Sequence, residues 1–297
     1  MTRTFSTTSG RPLRHDSPPM ILWHKAKKYG TWDPRDINFD QDKQDWLTLN
    51  ELEKDVLFRL TTLFQAGEES VTLDLLPLIL SIAREGRLEE EMFLTSFLWE
   101  EAKHVEGFQR FLHEVMGNTN DLCHYYTPSY DAIFGQALPN ALNRLLHDHS
   151  PYAQAEASVT YNMIVEGMLA ETGYFAYYNA LQKANLFPGM IEFVGKLKRD
   201  ESRHIAYGVF LLSRLVAEHG EPMWQTIQNK MEELLEPAMG VILEGLGNYE
   251  ILPFGINMDE ITEYAMSQFQ KRMDRIERSK HQTLEEIYKI AAKEEPH

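Results

Sequence analysis

Residues 98–108 read LWEEAKHVEGF, and a hundred positions later residues 198–208 read KRDESRHIAYG. Each places a Glu three residues before a His, Glu101 with His104 and Glu201 with His204, inside a segment with the apolar period of a buried helix. With 31 Glu and 11 His in 297 residues, roughly one such pair is expected by accident. A third pair, Glu294 with His297 in the charged C-terminal tail, is the one assigned to chance. On a helix, residues three apart are neighbours on one face, so each Glu and His can converge on a single ion.

Here that face is the apolar one. Glu101 continues a stripe of Leu94, Phe97, Leu98 and Phe108, and Glu201 with His204 continues one of Val194, Leu197, Gly208 and Leu211. Two further predicted helices each carry a lone acid on the apolar stripe: Glu68 among Phe64, Val71 and Leu75, and Glu166 among Val159, Met163 and Ala170. An unpaired buried carboxylate costs several kcal/mol, so this pattern calls for a bound cation. The order Glu, Glu-x-x-His, Glu, Glu-x-x-His reads as two similar helical hairpins closing on a dinuclear carboxylate site, the arrangement of ferritin-like bundles. The neighbouring acids Glu69, Glu100, Glu106, Glu171 and Asp200 read as solvated surface, and Tyr161, Tyr174, Tyr177 and Tyr178 as core.

Working outward, residues 1–47 hold several Pro and Gly and no sustained period, and are expected to form an irregular arm packed on the body. Thr48 and Glu51 suggest a capping box for a helix to Gly86, bent near Gly67 and Pro77. Helices follow at about 88–116, 152–184 and 188–218, with a loop and shorter helix over 118–150. Two or three more fill 222–293, and no strand pattern is evident. The fold class is therefore all-α: one domain over 1–297, with a four-helix core over 48–220 and additional helices over 221–297.

Composition narrows the partners. A net charge of −16 disfavours nucleic acid and anionic membrane. Cys123, the only cysteine, leaves no disulfide and no thiolate metal site, as suits a reducing cytoplasm. No secretory leader is evident, and the run LDLLPLILSIA at 73–83 is too short to span a bilayer.

The sequence resembles the small subunit of class I ribonucleotide reductase and, more closely, its relatives the manganese/iron ligand-binding oxidases. The resemblance rests on GEESVTLDLLP around Glu68, WEEAKHVEGF around Glu101 and His104, TYNMIVEG around Glu166 and RDESRHIAYG around Glu201 and His204. It implies one metal held by Glu68, Glu101 and His104 and another by Glu166, Glu201 and His204, with at least one bridging carboxylate. Mn and Fe are the implied pair, with di-iron an alternative. Where a typical reductase keeps its radical tyrosine, four residues after the first ligand histidine, this chain has Phe108, which cannot store a phenoxyl radical. The resemblance further implies O2 activation for two-electron C–H oxidation, a long-chain fatty acid at the metals, a homodimer, and an ether bond between Val71 and Tyr161. Phe97 and Leu197 are compatible with the fatty-acid pocket. Tyr161 lies five residues before Glu166, so an ideal α-helix turns it aside and a local irregularity is required. A reductase radical subunit and an iron-storage protein are the competing readings.

Overall fold

The computed structural model describes residues 12–118, 120–247 and 249–290; the Glu294/His297 pair lies outside them. Among these residues every regular element is helical, as the periodicity requires. Four long rods make the core: α3 (Glu51–Arg84), α4 (Leu88–Arg110), a composite rod of α7 (Pro151–Ser158), a π-helical stretch (Val159–Ala170) and α8 (Glu171–Ala184), and α9 (Pro188–His219). Before them come α1 (Pro18–Tyr29) and α2 (Asp40–Thr48), and between α4 and α7 the short α5 (Pro128–Tyr130) and α6 (Leu138–Arg144). α10 (Glu221–Leu246), α11 (Met258–Glu277) and α12 (Leu284–Ile290) follow, with α10 and α11 both packed on the π-helical stretch.

Two local expectations need correction. The N-terminal arm is not irregular: Pro18 and Pro19 occupy the first turn of α1, where the missing N–H is no loss, so they start a helix. α1 then lies against α4 and α9. The cap of α3 sits two residues later than the TLNE reading. Asn50 accepts from the Glu53 N–H at 3.0 Å while the Glu53 carboxylate accepts from the Asn50 N–H at 2.8 Å, because Asn50 has the extended backbone a cap needs. α3 runs as one helix through Pro77.

The interior is continuous and apolar, with Leu75, Leu78, Phe93, Phe97, Phe108, Leu197 and Leu211 fully buried. Each such side chain contributes about 1.5–3 kcal/mol. That is the reserve against which a buried charge cluster is held. Among the described residues no helix is long and apolar enough to cross a membrane.

Candidate metal centre

Each of the four rods delivers one part of the cluster: Glu68 from α3, Glu101 and His104 from α4, Glu166 from the π-helical stretch, and Glu201 and His204 from α9. All six are buried. Their donor atoms form two overlapping groups, Glu68, Glu101, His104 and Glu201 in one, Glu101, Glu166, Glu201 and His204 in the other. Within each group the atoms lie within 4.8 Å of one another. Glu101 and Glu201 belong to both, so two carboxylates are placed to bridge.

The imidazoles face inward through Nδ1. His104 Nδ1 is 3.5 Å from Glu68 Oε2, Glu101 Oε2 and Glu201 Oε1. His204 Nδ1 is 3.1 Å from Glu101 Oε1 and 3.5 Å from Glu166 Oε1 and Glu201 Oε2. Five inward atoms, Glu101 Oε2, His104 Nδ1, Glu166 Oε1, Glu201 Oε2 and His204 Nδ1, have no hydrogen-bond partner. Buried polar atoms left in that state cost about 1–3 kcal/mol each. Cations between them would satisfy all five, and a mixed carboxylate and imidazole donor set suits Mn and Fe. The residues therefore fit a pair of metal ions.

Electrostatics shows the same crowding. Burial raises the Glu68 carboxyl to about 8 against the pull of His104. Burial likewise pushes Glu166 well up and Glu201 up, with other carboxylates adding to both. Burial opposes charge on His104, but Glu68, Asp200 and Glu101 outweigh it and raise the ring well above its usual value. Glu101 is held well below the carboxylate range because the two imidazoles overcome its burial.

The outward ring nitrogens are held by the acids that precede each Glu-x-x-His. His204 Nε2 donates to Glu100 Oε2 at 2.9 Å, and His104 Nε2 faces Asp200 Oδ2 at 3.4 Å. The pairing is crossed, since Glu100 belongs to α4 and serves the α9 histidine while Asp200 belongs to α9 and serves the α4 histidine. Both acids are completely buried, contrary to the surface reading. Arg203 binds Glu100 Oε1 at 2.6 Å and also Asp200, Lys103 binds Asp200 Oδ2 at 3.0 Å, and Trp32 Nε1 donates to Asp200 Oδ2 at 2.9 Å. The signal was present as an acid immediately before each motif with a cation three residues on.

Two tyrosines reach the cluster. Tyr161 donates to the Val71 carbonyl at 3.1 Å and lies 3.5 Å from Glu101 Oε1. The required irregularity is the π-helical stretch, which contains both Tyr161 and Glu166. Its i→i+5 ladder widens each turn and brings residues five apart nearer to one face. Tyr174, read as core, donates to Glu68 Oε1 at 3.0 Å and lies 3.4 Å from Glu201 Oε1. Asn162 Nδ2 donates to Glu166 Oε2 at 2.9 Å.

Beside the carboxylates opens an apolar cavity of about 120 Å3, walled by Leu60, Phe64, Val71, Leu169, Ala176 and Leu246 among others and ending on Glu68, Glu101, Glu166 and Glu201. Phe97 and Leu197 lie outside this wall. Phe97 instead stacks on His204 with ring centroids 3.6 Å apart, so it braces a candidate ligand. Phe108 is stacked on Phe64 at 5.2 Å.

Comparison with known proteins places this geometry. Residues 17–288 match the family described as ribonucleotide reductase, small chain. A solved single-residue variant of an R2-like ligand-binding oxidase with anaerobically reconstituted Mn/Fe cofactor is 39% identical, with a TM-score of 0.84 over 89% of this chain and 94% of that one. Another variant, 40% identical with the same TM-score and coverage, holds a non-activated Mn/Mn cofactor after aerobic reconstitution with Mn and Fe. The R2-like ligand-binding oxidase from Sulfolobus acidocaldarius is 36% identical, with a TM-score of 0.85 over 93% of this chain and 95% of that one.

Proposed function

The chain belongs to the ribonucleotide reductase small-chain family, and from that premise we propose that it is a Mn/Fe ligand-binding oxidase. Glu68, Glu101 and His104 hold one metal, Glu166, Glu201 and His204 the other, with Glu101 and Glu201 shared. When bound, the pair supplies the redox capacity that lets O2 accept electrons from otherwise inert bonds.

The chain's own residues set which bonds. The observation that carries the reading is the Tyr161 hydroxyl, buried between the Val71 backbone and Glu101. Joining the Tyr161 oxygen to the Val71 β-carbon removes one O–H and one C–H hydrogen. Two electrons and two protons pass to O2 as the oxidant, and Glu101 Oε1, 3.5 Å away, is the carboxylate oxygen beside the phenol. Burial, with the surrounding carboxylates, raises the Tyr161 hydroxyl well above its usual pKa, so the side chain rests as the neutral phenol. Phe108 offers no phenol to divert the reaction into a stored radical, which favours the oxidase over the reductase reading.

The apolar cavity takes the hydrocarbon chain of a fatty acid, whose carboxylate then faces the metals at its inner end. A homodimer accounts for the exposed apolar row Leu73, Leu76 and Leu80 along α3. The test is intact mass and peptide mapping after aerobic Mn/Fe loading. A loss of two hydrogens joining the Val71 and Tyr161 peptides is expected. Unlinked peptides from fully loaded, air-exposed protein would remove the oxidation chemistry assigned to this pair.

A further inference from the structure

Lys103 is a buried cation clamped between two indoles. Its Nζ lies 4.0 Å from the ring centroid of Trp32 and 4.5 Å from that of Trp99, while donating to the Gly30 carbonyl at 2.6 Å and to Asp200 at 3.0 Å. Lys103 is 5% exposed, whereas Trp99 is 46% exposed. Trp32 is joined to the cluster twice, by its hydrogen bond to Asp200, which faces His104, and by stacking on the His104 ring at 6.3 Å and 15°. A continuous set of oxidisable and hydrogen-bonded groups therefore runs from His104 to the surface. An oxidising site with such an exit loses its equivalents unless something opposes it.

We infer that Lys103 insulates this exit, holding the oxidising equivalents at the metal cluster for Tyr161 and Val71 by making Trp32 and Trp99 hard to oxidise. The inference rests on the oxidase reading above. The step opposed is transfer of one electron from the Trp32 indole to the O2-oxidised metal cluster, which is reduced by that electron. The Trp32 Nε1 proton would pass to Asp200, and Trp99 would refill Trp32 by a second one-electron transfer. A cation over a neutral indole is attracted to the ring face, but the same cation repels an indole that has lost an electron. The surrounding charges make Lys103 decisive: Asp200 and Glu100 are balanced by Arg203 and Lys103, and only Lys103 lies over the indoles. Without it the remaining three groups, Glu100, Asp200 and Arg203, carry one net negative charge beside Trp32, which favours the hole.

The test compares wild type, Lys103→Met and Lys103→Arg as full-length protein, each checked for helical content. In the first arm the metal-free proteins are exposed to photogenerated ruthenium(III) tris-bipyridine, and oxidised Trp32 and Trp99 peptides are quantified by mass against Trp23. Lys103→Met is expected to raise oxidation at Trp32 by about tenfold, with Lys103→Arg close to wild type. In the second arm the Mn/Fe-loaded proteins react with air, and Lys103→Met should gain oxidised Trp32 and Trp99 as it loses the ether-linked peptide. Unchanged Trp32 oxidation in Lys103→Met, or equal increases in Met and Arg variants, overturns the inference. Absence of the ether in wild type overturns the oxidase reading instead, and the metal-free arm still tests Lys103 independently.

Discussion

Replacing Glu100 by Gln should weaken the ion beside His204 while sparing the one beside His104, although Glu100 is next to Glu101 in sequence and one turn from His104. In the native protein Glu100 uses both oxygens, Oε2 for the His204 Nε2–H at 2.9 Å and Oε1 for Arg203 at 2.6 Å. A carboxamide has one acceptor oxygen. If that oxygen keeps Arg203, the amide group meets the His204 Nε2–H donor to donor, and the ring relieves the conflict by moving its proton to Nδ1, the atom that should bind metal. If it keeps His204, Arg203 loses one charged partner in a fully buried position and retains Asp200, at a cost of about 1–3 kcal/mol in stability. Removing an outer partner of a ligand histidine lowers affinity by about 10–100-fold, or about 1.4–2.7 kcal/mol. Dialysis against graded chelator, followed by metal analysis and anomalous diffraction at both positions, reads the result ion by ion. Asp200→Asn should show the reverse selectivity, depleting the ion beside His104. Selective loss beside His104 in the Glu100→Gln protein would refute the crossed wiring, and so would equal loss at both.

Three further outcomes are expected. A β-carbon at Gly173 would stand 2.4 Å from the Phe64 ring at the cavity wall, so Gly173→Val should abolish co-purified lipid, seen by mass spectrometry of the denatured protein, while both metals remain. Burial raises the Asp74 carboxyl to about 6, above its unfolded value near 4. Its ionised form therefore destabilises the fold above pH 6, and this penalty fades as pH falls from about 6 to about 4. Asp74→Asn should gain about 1–2 kcal/mol at pH 7.5 and nothing near pH 4, as read from denaturant unfolding at the two pH values. Asn50→Ala, which removes the α3 cap, should cost about 1 kcal/mol by the same measurement.

The six cluster residues were legible because helical spacing puts a carboxylate and an imidazole on an apolar stripe, and such a stripe has no other use for them. Glu100 and Asp200 were not, because each sits one residue from a candidate ligand and so about 100° around its helix, toward what the pattern of one helix alone marks as its flank. That flank is interior only because α4 and α9 lie side by side. The Val71 and Tyr161 pairing came from resemblance, and its geometry was invisible for a different reason. Nothing in VTYNMIVEG distinguishes i→i+4 from i→i+5 bonding, and the α10 and α11 surfaces packed on that rod come from residues far along the chain. In the N-terminal arm, prolines suggest breaks in the chain's regularity, whereas their place in the first turn of α1 makes them initiators.

The twelve-residue π-helical stretch is, in counting terms, an α-helix with length to spare. Deleting one residue between Val159 and Tyr161 would let the ladder tighten to i→i+4 without leaving a hole in the bundle, because the rod continues as α7 and α8 on either side. Glu166 would keep its place, and Tyr161 would swing away from Val71. A single codon would thus separate a chain in which the proposed Val71–Tyr161 ether ties two helices together from one with the same six cluster residues and no such tie. Sequence comparison would register the difference as a one-residue gap inside a helix, a position where gaps are usually dismissed as alignment error.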